Sequence, residues 1–321
     1  MDRASSILLA DIGGTNARFA ILEDGKLGCI ATVQVADFAS PEDALRAYLA
    51  NEGRGHAPEA AAIAAAGPEI AGKVALTNAS WTVDGASLRA ALRLRSAAVV
   101  NDFAALAWSL PALGASDVCA IGRGSPVVGA PAAVLGPGTG FGIAAWLREG
   151  GRESVLVGEG GHATLAGESR REDAVIDALR AAFGHVSVER VLSGDGLGHL
   201  YDAVVALDGI AAPKRTAAEI VARALSGGCI ASERALELFC AFLGSVAGNV
   251  ALTVGARGGV HIGGGIVPHF VEYLARSPFR ERFEAKGRMK GYLAAIPTRV
   301  IMHPHPAFLG LERLLGARGT C

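Results

Sequence analysis

Apolar runs broken by short glycine-rich turns set the frame of this chain. Leu8-Leu9-Ala10 enters such a turn and Phe19-Ala20-Ile21-Leu22 leaves it. Both flanks read as buried strand, so the stretch is a β-hairpin. Cys29 to Val35 continues as a third strand. Ser40-Pro41-Glu42-Asp43 opens a helix to about Asn51, with serine as N-cap, proline at the first helical position and acids in the first turn. Ala60 to Ala66 is a short apolar strand closed by Gly67-Pro68. A strand from Val74 leads into a polar turn before Trp81, and Ser87 to Leu94 is a short helix. Ala97 to Val100 is a strand that ends in Asn101-Asp102, with a helix beyond. Three meandering strands, then helix, then strand indicate a mixed sheet in an α/β domain.

Ala133 to Trp146 repeats the opening plan. The offset of roughly 125 residues marks an internal structural repeat rather than a short-period solenoid. Ser187 opens another helix, and Ala217 to Thr253 holds two or more. Leu238 to Ala256 is apolar and carries Gly244-x-x-x-Gly248, so a membrane span is one reading; Asn249, Ser245 and Cys240 within it favour a buried core helix. Gly258 to Pro268 is a buried strand, three glycines and a helix start. Phe279 to Gly291, with its mixed charge, reads as exposed. Thr298 to Met302 is one more strand, and Phe308 to Leu315 a closing helix that docks back on the first domain.

Composition narrows the class. The 321 residues suffice for about two domains. They are 51% hydrophobic and only 6% aromatic, so the core is aliphatic. A formal net charge of −1 without a basic block argues against nucleic-acid or membrane-surface partners. Five scattered cysteines, with no C-x-x-C, read as a reduced, cytoplasmic chain without a disulfide framework or a cysteine zinc site.

Candidate chemistry gathers at the turns. In Ala10-Asp11-Ile12-Gly13-Gly14-Thr15-Asn16 the glycines let backbone N–H groups converge into an anion nest, and Thr15 adds a hydroxyl. Arg18 suits phosphate or a structural ion pair, and Asp11 could hold Mg²⁺ through water. The turn lacks the Gly-Lys-Ser/Thr of a Walker loop, and the chain leaves it as a strand, unlike a dinucleotide fingerprint. Gly138-Thr139-Gly140 forms the second such turn, and two of them could grip one polyphosphate. Asn78 is a turn former or a substrate hydrogen-bonder. Asp102 is a helix N-cap or a general base at the carboxyl end of a strand, where ligands bind in open α/β sheets. Glu159 and His162 sit on a glycine-rich loop. Glu189 is a first-turn acid favoured by the helix dipole, or a substrate acceptor. Gly263-Gly264-Gly265 would let backbone approach a flat ring or a phosphate. His303-Pro304-His305 is a stiffened turn with a remote metal-binding reading.

Seven ordered motifs, A-D-I-G-G-T-N-A-R, T-N-A-S-W, V-V-N-D-F, G-P-G-T-G-F-G, G-E-G-G-H, V-E-R-V-L-S-G and I-G-G-G-I-V-P, run from residue 10 to residue 268. Together the motifs resemble those of bacterial ATP-dependent glucokinases, the hexokinase-type branch of the sugar-kinase/actin-like (ribonuclease H-like) fold, over nearly the whole chain. The resemblance implies two α/β domains with a duplicated core and a central cleft: a small one of residues 1–112 plus 300–321, and a large one of 113–299. It implies that Asp102 takes the proton of the glucose 6-hydroxyl during attack on ATP. Asn78, Asn101, Glu159, His162 and Glu189 match the sugar-holding positions. Residues 10–16 and 18, 138–140 and 263–265 match the nucleotide segments, with Asp11 toward Mg²⁺. A cytoplasmic homodimer is implied as well. The cysteine-rich zinc motif of some relatives and a helix-turn-helix extension are missing, so neither zinc nor DNA binding is expected. Competing readings are a kinase for another hexose, one using polyphosphate or ADP, and a non-catalytic sugar sensor on the same fold.

Overall fold

The computed structural model describes residues 6–77 and 79–317. The opening hairpin is β1 (Ser6–Ile12) and β2 (Asn16–Glu23), flanked by β3 (Lys26–Gln34). In α1 (Pro41–Ala50) the Ser40 side chain accepts the Asp43 N–H at 3.2 Å, as the capping pattern requires. β4 (Ala60–Ala65) lies parallel to β1; its small apolar side chains suit a strand covered on both faces. The strand expected from Val74 is present and belongs to a small antiparallel sheet. Its strands are β5 (Glu69–Ile70), β6 (Lys73–Ala75) and β7 (Thr82–Asp84). α2 (Gly85–Leu92) begins before Ser87 because Asp84 caps it, accepting from Ala86 and Ser87. β8 (Ser96–Asn101) then runs directly into α3 (Asp102–Ser109).

Next come β9 (Val118–Ala120), β10 (Ala132–Pro137), β11 (Phe141–Glu149) and β12 (Arg152–Gly158). The helices α4 (Arg170–Phe183), α5 (Val188–Val191), α6 (Gly194–Leu207), α7 (Ala217–Leu225) and α8 (Ile230–Val254) follow. β13 (Gly259–Ile262), α9 (Val271–Arg276), α10 (Phe279–Glu284), α11 (Lys290–Ala294), β14 (Thr298–Ile301) and α12 (Pro306–Ala317) complete the order.

Among the described residues the first main sheet is ordered β3-β2-β1-β4-β8 and the second β12-β11-β10-β13-β14-β9. Each has a three-strand antiparallel meander followed by two parallel strands. The internal repeat is thus a repeat of topology, with β9 an antiparallel addition. The chain divides into two compact units: the described residues of Met1–Ala112 with Pro304–Cys321, and Leu113–His303. Residues 300–303, expected with the first domain, fall in the second unit, where β14 pairs with β13 and β9.

Unit 1 buries an aliphatic core around β1, β4 and α1. Its returning helix α12 packs on α3, where Gly310 meets the Ala105 carbonyl with no room for a side chain. Unit 2 is built on α8, which is long and apolar enough to cross a membrane but is largely buried in this core. Gly244 and Gly248 serve the packing of α10: they admit the Phe279 and Phe283 carbonyls against the helix backbone. The expectation that residues 279–291 are exposed is therefore wrong for α10. Phe279 and Phe283 are fully buried, and its charges are matched inward. Arg282 forms a bidentate pair with Glu172 at 2.6 and 2.9 Å, and Arg280 donates to the Leu293, Ala294 and Ile296 carbonyls.

Candidate active site

In unit 1 the carboxyl ends of β1, β4 and β8 lie level, with Ile12 beside Ala65 and Ala65 beside Asn101. Asp11 and Asp102 therefore rise from strands two spacings apart, about 10 Å. The Gly13–Thr15 turn is closed by the Gly13 N–H donating to the Asn16 carbonyl at 2.9 Å. It is braced from β3, where Gln34 donates to the Asn16 side chain at 2.7 Å and the Val35 N–H to the Thr15 carbonyl at 2.9 Å. The side chains of Ala10 and Ile12 are in the core, leaving only their backbone to a ligand. Asp11 faces Arg18 across the hairpin, with Nη1 3.3 Å from the carboxylate. Burial pushes the Asp11 carboxyl up; the Arg18 guanidinium and His305, at the start of α12, pull it back.

At the end of β8, Asn101 rather than Asp102 caps α3. Its Oδ1 accepts from Phe103 and Ala104 at 2.9 and 3.1 Å, and its amide donates to the Gly67 carbonyl at 2.9 Å. Asp102 sits in the first turn, half-buried, with Oδ1 2.9 Å from the Phe103 N–H. Asn78 lies outside the described residues.

Unit 2 brings its own candidates around Phe141. The Gly138 N–H closes the second turn on the Gly140 carbonyl at 2.8 Å, and the Gly194 N–H holds the Gly138 carbonyl at 3.0 Å. Glu189 in α5 accepts the Phe141 N–H at 2.8 Å, its carboxylate filling the space a side chain on Gly140 would need. On the other side of that peptide, Gly161 packs against the Phe141 carbonyl. The Gly158–His162 loop is thereby held beside the turn, with Glu159 and His162 exposed and 3.9 Å apart. The Gly263 N–H donates to the Leu135 carbonyl at 2.9 Å. Gly264, at φ +84°, lies against the Pro137 carbonyl, where a β-carbon is excluded. Gly138–Gly140, Glu189 and Gly263–Gly265 are thus one cluster. Reading the sequence missed two members: Gly136, closed against the Gly263 carbonyl, and His305 near Asp11. The first was legible as one more glycine of its run; the second stood out only as part of a stiffened turn, and nothing local placed it near Asp11.

A lone carboxylate fits Mg²⁺, which keeps several waters and takes one or two carboxylates plus substrate phosphates. Among the described residues no group of three or more His, Cys, Asp and Glu could hold a metal by itself.

Duplicated mixed sheets with glycine turns at equivalent hairpins and an acid at a strand's carboxyl end define a sugar kinase of the actin-like, two-domain fold. The glucokinase family model matches residues 8–317. The chain is 47% identical over 311 residues to a glucokinase of Paramagnetospirillum magneticum, covering 96% of this chain and 97% of that one. A glucokinase structure from an Antarctic psychrotroph superposes with a TM-score of 0.86 at 38% identity, covering 97% and 99%. A ROK family glucokinase from Streptomyces griseus, solved with glucose and AMPPNP, shares the fold at TM-score 0.68 and 18% identity, covering 97% and 99%. The chain belongs to the glucokinase family and is a sugar kinase that phosphorylates glucose.

Proposed function

We propose that this chain transfers the γ-phosphoryl group of ATP to the 6-hydroxyl of glucose, with Asp102 as general base. The observation that carries the assignment is the division of labour at the start of α3. Asn101 does the capping, so the acid beside it is not explained as a cap. The glucose O6 attacks the γ-phosphorus, its proton passes to Asp102, and the bond from phosphorus to the ADP oxygen breaks. Asn78, Asn101, Glu159, His162 and Glu189 are assigned to the sugar hydroxyls, where an unmatched buried acceptor would penalise a wrong sugar. The turns of residues 13–15 and 138–140 are assigned to the phosphates, through the N–H groups that do not close the turns themselves, and 263–265 to the adenosine. Arg18 holds Asp11 in place for Mg²⁺ bound through water, which supplies charge neutralisation on the phosphates. The AMPPNP and glucose bound by the Streptomyces griseus relative support this choice of donor and acceptor. Free thiols at Cys29, Cys119, Cys229 and Cys240 support a cytoplasmic setting. The family resemblance also supports a homodimer, which light scattering reads directly.

A coupled assay of glucose 6-phosphate formation with Mg-ATP, comparing wild type with Asp102→Asn, tests the proposal. The variant is expected to lose about 10²- to 10⁴-fold in kcat while glucose binding by calorimetry persists. Retained turnover would return Asp102 to a structural role. Wild-type binding of glucose and ATP without turnover would favour a sensor.

A further inference from the structure

Away from the strand ends that carry Asp11 and Asp102, unit 1 holds a second cluster of reactive side chains. Cys29 Sγ lies 3.7 Å from His56 Nε2, and the opposite ring nitrogen, Nδ1, is 3.6 Å from a Glu23 carboxylate oxygen. A thiol, an imidazole and a carboxylate in line is the arrangement of an activated nucleophile: sulfur, base, and a group that orients the base. The backbone is bent to make it. The β2–β3 register slips between Phe19 and Ile21, so two residues of β3, Cys29 and Ile30, oppose one of β2. Cys29 takes φ +54°, a left-handed conformation that is costly for a residue with a β-carbon. Such bulges re-aim a side chain, and here the side chain is the thiol. Tyr48 pins the bulge by donating its hydroxyl to the Cys29 carbonyl at 2.7 Å. Glu23 and His56 line a cavity of about 650 Å³ at the amino ends of β1 and β4, whose wall also carries Arg93 and Arg95.

We propose that Cys29 is a reversible modification site that exchanges with low-molecular-weight disulfides. The Cys29 proton passes to His56 as the sulfur attacks one sulfur of the small disulfide. The bond between the two reagent sulfurs breaks, a Cys29 mixed disulfide forms, and the departing thiolate takes the proton from His56. Cys29 is oxidised and half of the reagent is reduced, so no further oxidant is needed, and excess thiol reverses the step. Glu23 is a positioning residue that holds the ring nitrogen toward the sulfur.

The test treats the full-length protein with glutathione disulfide and follows mixed-disulfide formation at each cysteine by peptide mass spectrometry. Cys29 is expected to react about tenfold faster than Cys119, another half-buried thiol. His56→Asn should slow Cys29 by about tenfold while leaving Cys229, in unit 2, unchanged. Glu23→Gln, which keeps the side chain's size, should slow it by about threefold. Neutral hydroxyethyl disulfide should show the same preference for Cys29, since the activation lies in the thiol and its imidazole. Equal rates at Cys29 and Cys119 would overturn the proposal, as would a Cys29 rate unmoved in both variants at unchanged melting temperature.

Discussion

At the scale of single residues, the Phe141 peptide is the most informative point in unit 2. Its N–H is taken by Glu189, 48 positions along the chain, and its carbonyl lies against Gly161. Two local readings of Glu189, dipole partner and sugar acceptor, were available from the sequence. The third, a brace for the glycine turn, was hidden because only the fold makes the two segments neighbours. Glu189→Ala removes a charged acceptor from a backbone donor, and should cost about 1–3 kcal/mol in urea melts. Glu189→Gln keeps an acceptor of the same reach and should recover most of that stability. If Glu189 also binds sugar, the Gln variant will still show a raised KM for glucose. Asn101 makes the matching case in unit 1. Asn101→Ala should lose about 0.5–2 kcal/mol with its cap, and Asn101→Asp, which keeps the cap but loses the donor to the Gly67 carbonyl, should recover only part of it. The motif showed that an Asn-Asp pair opens α3; which of the two did the capping is set by side-chain geometry.

At the scale of elements, the periodic strands and capped helices were legible, and α10 was not. Its charges suggested solvent because charge is ordinarily exposed. In the fold Arg280 and Arg282 spend their guanidinium groups on carbonyls and on Glu172, 110 residues away, while the phenylalanines that flank them, Phe279 and Phe283, enter the core. The same helix explains the glycines of α8, whose spacing had also allowed a membrane reading. Helix α12 offers a paired test of backbone contact against propensity. Alanine gains roughly 0.5–1 kcal/mol over glycine inside a helix. Gly316→Ala meets open space and should raise the melting temperature slightly. Gly310→Ala drives a methyl into the Ala105 carbonyl of α3 and should instead cost about 1–3 kcal/mol, lowering it. Equal shifts in the two variants would mean that α12 and α3 are not in contact at Gly310.

At the scale of the whole molecule, the duplication was readable because both hairpins keep the same apolar–glycine–apolar pattern. The strand order that confirms it rests on pairings such as β4 with β8, which no local pattern specifies. The expected domain boundary cut through the last strand for the same reason: β14 is defined by its partners β13 and β9. Its neighbour β13 carries a group that couples the second sheet to pH. His261 is buried at the centre of that sheet, and its Nδ1 has no hydrogen-bond partner among the described residues. Burial, with the nearby Arg299 charge, lowers its pKa from 6.5 to about 4. The folded unit therefore keeps the imidazole neutral where the unfolded chain accepts a proton. The stability this supports is complete above pH 6.5 and is lost as pH falls toward 4. The full loss is about 3 kcal/mol at 1.36 kcal/mol per pKa unit. Urea unfolding followed by circular dichroism between pH 7 and pH 4 should show this arm in wild type. In His261→Gln, which carries no titrating ring, the arm should flatten by that amount even if the variant is less stable at pH 7. A wild-type and variant difference that stays constant across the range would mean that His261 is not held neutral in the folded sheet.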